Sequence, residues 1–294
     1  MRDLRAMFHV TPARSPSGSQ VLRAEARLRR IASDRSHGAQ ALALAALRAR
    51  AMARDRRRSG APLRADVRRL ARALARTQPA MGIFREWAAQ WRTMADSVPD
   101  RALVPRLSRW FTATERRLRT ETRGLVRVAR RRFPSRARVL TISRSSSVYH
   151  ALVGLPPDRR PERVLALVSH PGGEGRGLAR ALLRQGVPTR VVPDPEGVAA
   201  LRTVDLLLIG ADTIDPDGSV VHKVGTRPLA LAARRRRVRV IVVAGTSKCL
   251  EIARPVRRLP PRFDRTPARA VSEYWTDLGP VAAGRWPRRR RTTP

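Results

Sequence analysis

Val204-Asp205-Leu206-Leu207-Leu208-Ile209-Gly210-Ala211-Asp212 is the stretch on which the fold turns. A short apolar run ends in Gly-Ala and then in a carboxylate. Four more runs of the same kind surround it, at 138–142, 164–168, 187–192 and 238–243. Segments of helical spacing alternate with them, at 145–153, 175–183, 196–201 and 225–235. Near-continuous apolar strands alternating with helices predict a parallel sheet covered on both faces. Residues 134–284 therefore read as a Rossmann-like α/β domain, a fold in which ligands bind at the carboxyl ends of the strands.

The sequence ahead of Pro134 has a different texture. Leu28, Ile31 and the run Ala41-Leu42-Ala43-Leu44-Ala45-Ala46-Leu47 place apolar residues at helical spacing. Pro62, Pro79, Pro99 and Pro105 are expected to divide residues 21–133 into helices of ordinary length. The fold class is thus α/β, a helical N-terminal domain followed by the Rossmann-like one. Residues 1–20 read as a loose tail, and 285–294 as a basic tail.

Composition bounds the function. With 62 Lys and Arg against 23 Asp and Glu, the formal charge is +39, which attracts nucleic acid, anionic surfaces or phosphorylated metabolites. Aromatics make up only 4%, so the core is expected to be Leu, Val and Ala. Cys249 is the single cysteine, which fits a reducing compartment. No leader-like apolar run or membrane span is visible, and a cytoplasmic protein is expected. No cofactor or metal motif is found; the dinucleotide fingerprint is absent.

Only two of the 62 basic residues are lysines, Lys223 and Lys248. A lysine kept where composition favours arginine is a candidate for a role that needs a compact ammonium. Both are expected just after strands, near Asp212. Two cations and a carboxylate on one sheet edge suit a phosphorylated small molecule. Ser143-Arg144-Ser145-Ser146-Ser147 opens a helix, as a phosphate cradle or as an ordinary Ser cap. Ser169-His170-Pro171-Gly172-Gly173-Glu174-Gly175-Arg176 is either a ligand loop or a flexible βα connection. Asp212 is either a general acid/base or a structural loop carboxylate.

In this order, the motifs resemble the family that joins the regulatory subunits of translation initiation factor 2B with two sugar-phosphate isomerases. Asp34-Arg35-Ser36-His37-Gly38-Ala39, Gln78-Pro79-Ala80-Met81, Gly210-Ala211-Asp212, Lys223 with Gly225-Thr226, and Thr246-Ser247-Lys248 carry the resemblance. So do Phe263-Asp264-Arg265-Thr266-Pro267 and Thr276-Asp277-Leu278-Gly279. The resemblance implies a ligand between the two domains and a homodimer. It also implies Lys223 and Glu174 as ligand contacts, Asp212 as catalytic acid/base, and Gly38 and Ala39 as the helical domain's contribution.

Departures from the family pattern matter as much. The isomerases carry a cysteine where this chain has Ser143, and an unassisted hydroxyl is a far weaker acid/base than a thiol. Ser at that position is like the initiation-factor branch. His222 replaces an Asn, and His170 and His37 each replace an Arg. These histidines are either neutral rings hydrogen-bonded in loops, or a source of new chemistry, His222 pairing with Asp212. The site expected from sequence has Asp212 and Ser143 as catalytic residues. Lys223, His222, Lys248, Glu174, Arg176, His170, Gly38 and Ala39 would bind the ligand. The expected function is binding of a phosphorylated sugar or nucleotide in a regulatory role. One alternative is an aldose–ketose isomerase acting on a sugar 1-phosphate, of the ribose 1,5-bisphosphate or methylthioribose 1-phosphate type. Another is a basic RNA- or ribosome-associated protein, suggested by the Arg runs.

Overall fold

The computed structural model describes residues 20–34, 42–43, 45–46, 60–250 and 258–286. It opens with α1 (Gln20–Ser33), α2 (Gly60–Thr77), α3 (Gly82–Ser97) and α4 (Asp100–Arg132). On α2, Leu63, Val67, Leu70 and Leu74 recur at helical spacing and are fully buried. Against them pack Phe84, Trp87 and Trp91 of α3, and Trp110 and Phe111 of α4. Trp110 stands edge-on to Trp87 and to Trp91, with ring centroids 5.5 Å apart in each pair. Five of the scarce aromatics meet in this core, alongside the Leu, Val and Ala that composition suggests.

Pro105 does not end a helix. It lies inside α4, and the amide it lacks would have bonded to the carbonyl of Arg101. Both residues are exposed, where water is available to such a carbonyl. The uninterrupted α4 runs for about 50 Å and serves two cores. Leu103, Leu107 and Phe111 belong to the helical core, while Leu125, Val128 and Ala129 pack on the sheet.

The sheet has seven strands in the order β10-β9-β7-β4-β1-β2-β3. They are β1 (Arg138–Thr141), β2 (Arg163–Leu167), β3 (Thr189–Val192), β4 (Leu206–Ile209), β7 (Arg239–Val243), β9 (Glu273–Thr276) and β10 (Gly279–Ala282). All neighbours are parallel except β10, which folds back on β9 as an antiparallel edge. The parallel strands are connected through α5 (Ser146–Val153), α6 (Glu174–Arg184), α7 (Gly197–Ala200) and α8 (Thr226–Arg235). Alternation splits each strand between two cores. Leu206 and Leu208 face one side with α4 and α5, while Leu207 and Ile209 face the other with α8. Truncating Leu208 to Ala costs about 2–5 kcal/mol.

Strand order reverses at β1, which pairs with β2 on one side and β4 on the other. That reversal opens the ligand crevice of a Rossmann-like sheet. A second, antiparallel sheet that was not legible in the sequence stands beyond the end of β4. It comprises β5 (Thr213–Ile214), β6 (Val220–Lys223) and β8 (Phe263–Thr266), in the order β5-β6-β8. Residues 285 and 286 belong to the fold and not to a tail, because Trp286 packs against Tyr274, with tilted rings 4.3 Å apart between centroids.

Candidate functional site

The site grows from the end of β4. Gly210 and Ala211 carry the chain into Asp212, whose amide donates to Val221 O at 2.9 Å and so fixes it beside β6. Gly210 is required by a close approach, since a side-chain carbon there would collide with Ser145 Oγ. Asp212 is buried, and its carboxyl has no hydrogen bond or ion pair among the described residues. Burial pushes its pKa up to about 6; Lys248 and Lys223 pull it down, and Glu174 pushes it up. A carboxyl poised there can exchange a proton near neutral pH.

Lys223 does not follow a strand; it is the last residue of β6. Its Nζ lies 2.9 and 2.8 Å from the two oxygens of Glu174, the first residue of α6. Arg262 donates to the same carboxylate at 2.7 Å. The side chains of Lys223 and Glu174 are 5% and 9% exposed, so this is a buried, fully partnered pair. A side chain at Gly172 would run into that carboxylate.

Lys248 is different. It sits in the turn after β7, is 5% exposed, and its ammonium has one hydrogen bond among the described residues, a 3.5 Å contact to Ser147 Oγ. Burial lowers its pKa, while Asp212 and Glu121 oppose that. Ser147 lies in the first turn of α5, capped by Ser145 Oγ, which accepts from Val148 N at 3.3 Å. The positive end of the helix and the ammonium thus share one corner.

His222 precedes Lys223 and is 4% exposed. Burial, then the two lysine charges, lower its pKa to about 3. These causes favour the neutral ring near neutral pH.

Two seams bring the helices to this crevice. Thr213 Oγ1 donates to Ala80 O at 2.8 Å and accepts from Gly82 N at 2.6 Å. Glu121 of α4 accepts from Ser247 N at 2.9 Å and Ser247 Oγ at 2.7 Å. Asp277 accepts from Thr246 N at 2.7 Å. Together they clamp the turn that carries Lys248. Asp264 accepts from Gly225 N at 2.8 Å and Arg227 N at 3.0 Å, capping α8 from β8. Sequence reading gave Glu121 no role, because a buried acid in an Arg-rich helix looks like any surface acid. Asp264 and Asp277 lie in motifs that carry the family resemblance, and nothing in their local sequence marks them as clamps.

Other expected residues lie further out. Ser143 has a left-handed backbone, φ +69°, and its amide donates to Ser169 Oγ at 2.7 Å. No base hydrogen-bonds its hydroxyl among the described residues. His170 is exposed, with its amide donating to Asp194 at 2.7 Å. Arg176 is also exposed, beside Gly173. Gly38 and Ala39 lie outside the described residues. Burial pushes the Cys249 thiol up to about 12, so it is inert near neutral pH. Among the described residues no helix is long and apolar enough to cross a membrane.

The helical half, the mostly parallel sheet and the crevice between them define an α/β protein with a polar site at the strand ends. Residues 35–254 match the model of the initiation factor 2 subunit family, and the chain belongs to that family. It is 27% identical over 185 residues to a ribose 1,5-bisphosphate isomerase of Archaeoglobus fulgidus, covering 62% of this chain and 58% of that protein. It is 31% identical over 155 residues to a putative translation initiation factor eIF-2B subunit 2-like protein of Pyrococcus furiosus, covering 48% and 56%. The matches thus span somewhat over half the length of those relatives. The solved translation initiation factor eIF-2B of Pyrococcus horikoshii superposes with a TM-score of 0.74 at 25% identity, over 90% of this chain and 98% of that one. A chain of the tetrameric eIF2B-beta2-delta2 complex of C. thermophilum gives 0.74 at 20% identity, over 91% and 93%, a likeness of fold.

Proposed function

We propose that this chain binds a phosphorylated sugar or nucleotide between its helices and its sheet, as a regulatory, ligand-sensing member of its family. The observation that carries this reading is Lys248, a buried ammonium with one long hydrogen bond among the described residues, set against the capped N-terminus of α5. An ammonium left that way is costly unless an anion joins it. A phosphate group supplies the charge and several acceptor oxygens. Lys223, already neutralised by Glu174, frames the other side.

A second reading is an aldose–ketose isomerase acting on a sugar 1-phosphate. It is favoured by Asp212, whose pKa of about 6 suits proton transfer, and by the relative named as a ribose 1,5-bisphosphate isomerase. In this reading Asp212 takes and returns the proton moved between adjacent carbons, and its neutral form assists ring opening. General acid/base groups typically contribute 10²–10⁴-fold, so loss of one partner leaves a slow reaction rather than none. A homodimer in the cytoplasm is part of the proposal.

Phosphorus NMR of the protein with ribose 1,5-bisphosphate, methylthioribose 1-phosphate and AMP tests both readings. Shifted or broadened signals without conversion support the ligand sensor. New ketose-phosphate signals, abolished by Asp212→Asn, establish the isomerase. Unchanged spectra with all three refute both and turn the search to protein and RNA partners.

A further inference from the structure

Glu121 stands on α4 where that helix passes from one core to the other. Leu118, one turn before it, belongs to the helical core, and Leu125, one turn after it, to a core of the sheet. At 2% exposure it is a buried acid. It accepts from Ser247 N at 2.9 Å and from Ser247 Oγ at 2.7 Å, while Asp277 accepts from Thr246 N at 2.7 Å. The Thr246 hydroxyl lies 3.4 Å from Glu121 and 3.3 Å from Asp277, and its single proton serves one of them at a time. Room is kept for both acids. A side-chain carbon at Gly245 would strike the Glu121 carboxylate, and one at Gly124 would strike Asp277.

Lys248 follows Ser247 directly, so this grip sets where the lysine leaves the chain. It also bears on the lysine's charge. Burial works against the ammonium, and Asp212, Glu121 and Cys249 work for it. Of these three, the Cys249 thiol is pushed up to about 12 and is neutral, and Asp212 exchanges its proton near pH 6. His222, which also feels Lys248, favours its neutral form. For Glu121 itself, burial raises the pKa, as does Asp277, while Ser247 and Arg117 lower it. The Arg117 side chain is 58% exposed, so its 3.2 Å pair with Glu121 is worth little. The Ser247 donors that fix the turn are therefore the ones that hold the acid ionised.

We infer that Glu121 is the positioning residue of the Lys248 corner: from α4 it holds the 246–248 turn and lends the negative charge that stabilises the Lys248 ammonium, so that the helical half sets the affinity for phosphate. This rests on the phosphate-binding reading above.

The chain has only two lysines, so lysine labelled with carbon-13 at Cε gives two side-chain signals, with Lys248 assigned by its loss in Lys248→Met. Glu121→Gln keeps the volume and removes the charge. Its Lys248 signal should titrate about one pH unit lower than in the parent, with Lys223 unmoved. Asp277→Asn loosens the same turn, but Asp277 is not among the charges that support Lys248, so the titration should stay in place. Glu121→Asp, which keeps the charge, should bring the titration back towards the parent's. Calorimetry at pH 7 should show Glu121→Gln weakening ribose 5-phosphate about tenfold. A Lys248 titration unmoved in Glu121→Gln, or moved as far in Asp277→Asn, overturns the inference whatever binds. Parent-like affinity in Glu121→Gln overturns it and keeps the phosphate site. A shifted titration with no ribose 5-phosphate binding to the parent overturns the phosphate reading alone and upholds Glu121 as the residue that holds the lysine's charge.

Discussion

Two corners of one crevice hold the chain's two lysines, and they are built in opposite ways. At the Glu174 corner, Lys223 and Arg262 surround a carboxylate, and every charge has a partner. At the α5 corner, Lys248 and Asp212 are both buried, feel each other's charge, and form no ion pair among the described residues. The first corner is finished in the free protein. The second is unfinished in the free protein, at the cost of stability, and on the proposed reading a ligand completes it. Local strain of this kind is expected where a site must bind.

The sharpest way to break the contrast is to remove one member of the finished pair. Glu174→Ala leaves two cations facing each other in a nearly dry corner and should cost about 3 kcal/mol. The low end of the usual range applies because Arg262 reaches solvent. Urea denaturation measures it, and a loss below about 1 kcal/mol would mean that the corner is not closed as described.

Lys248→Met should act the other way on stability. It removes a desolvated ammonium and keeps its volume, so the midpoint of unfolding should stay or rise. Ligand affinity should fall roughly 10–100-fold, the loss of a charged hydrogen bond. A variant that unfolds more easily would show that the ammonium stabilises the fold by itself.

Asp212 gives the pH arm. Its folded pKa of about 6 lies above the ordinary 3.8, so folding favours the protonated form. The stability tied to it is fully present below the unfolded value and is lost as pH rises through about 6. Asp212→Asn should therefore be more stable than the parent at pH 8, by roughly 1–3 kcal/mol, and no different at pH 3. Equal gains at both pH values would contradict the assignment. Ser145→Ala should have the smallest effect, about 1 kcal/mol from the lost helix cap, read in the same unfolding curves.

Five strands of the large sheet and the helices between them were legible because buried strands read as unbroken apolar runs, as at Leu206–Ile209. The small sheet was not. Phe263–Thr266 is half-polar and β5 has two residues, so neither gives a period. The β9–β10 hairpin turns at Asp277-Leu278, and Gly279 takes φ +142°, a turn that leaves no apolar mark. Of the site, the two lysines, Glu174, Asp212 and His222 were visible as residue types at strand ends. Which lysine is paired was not, because pairing depends on where Glu174 and Arg262 meet, 88 residues apart. Glu121 was hidden for the same reason: its partners, Thr246 and Ser247, lie on the far side of the sheet sequence.

Calorimetric titration of ribose 1,5-bisphosphate into the parent protein, Lys248→Met and Asp212→Asn at pH 7 tests the open corner most directly. The account predicts saturable binding to the parent, a 10–100-fold loss in Lys248→Met, and binding retained or strengthened in Asp212→Asn, where a repelling carboxylate is gone. Equal affinity in the parent and Lys248→Met would contradict it, and would mean that the buried ammonium serves the fold and not a ligand.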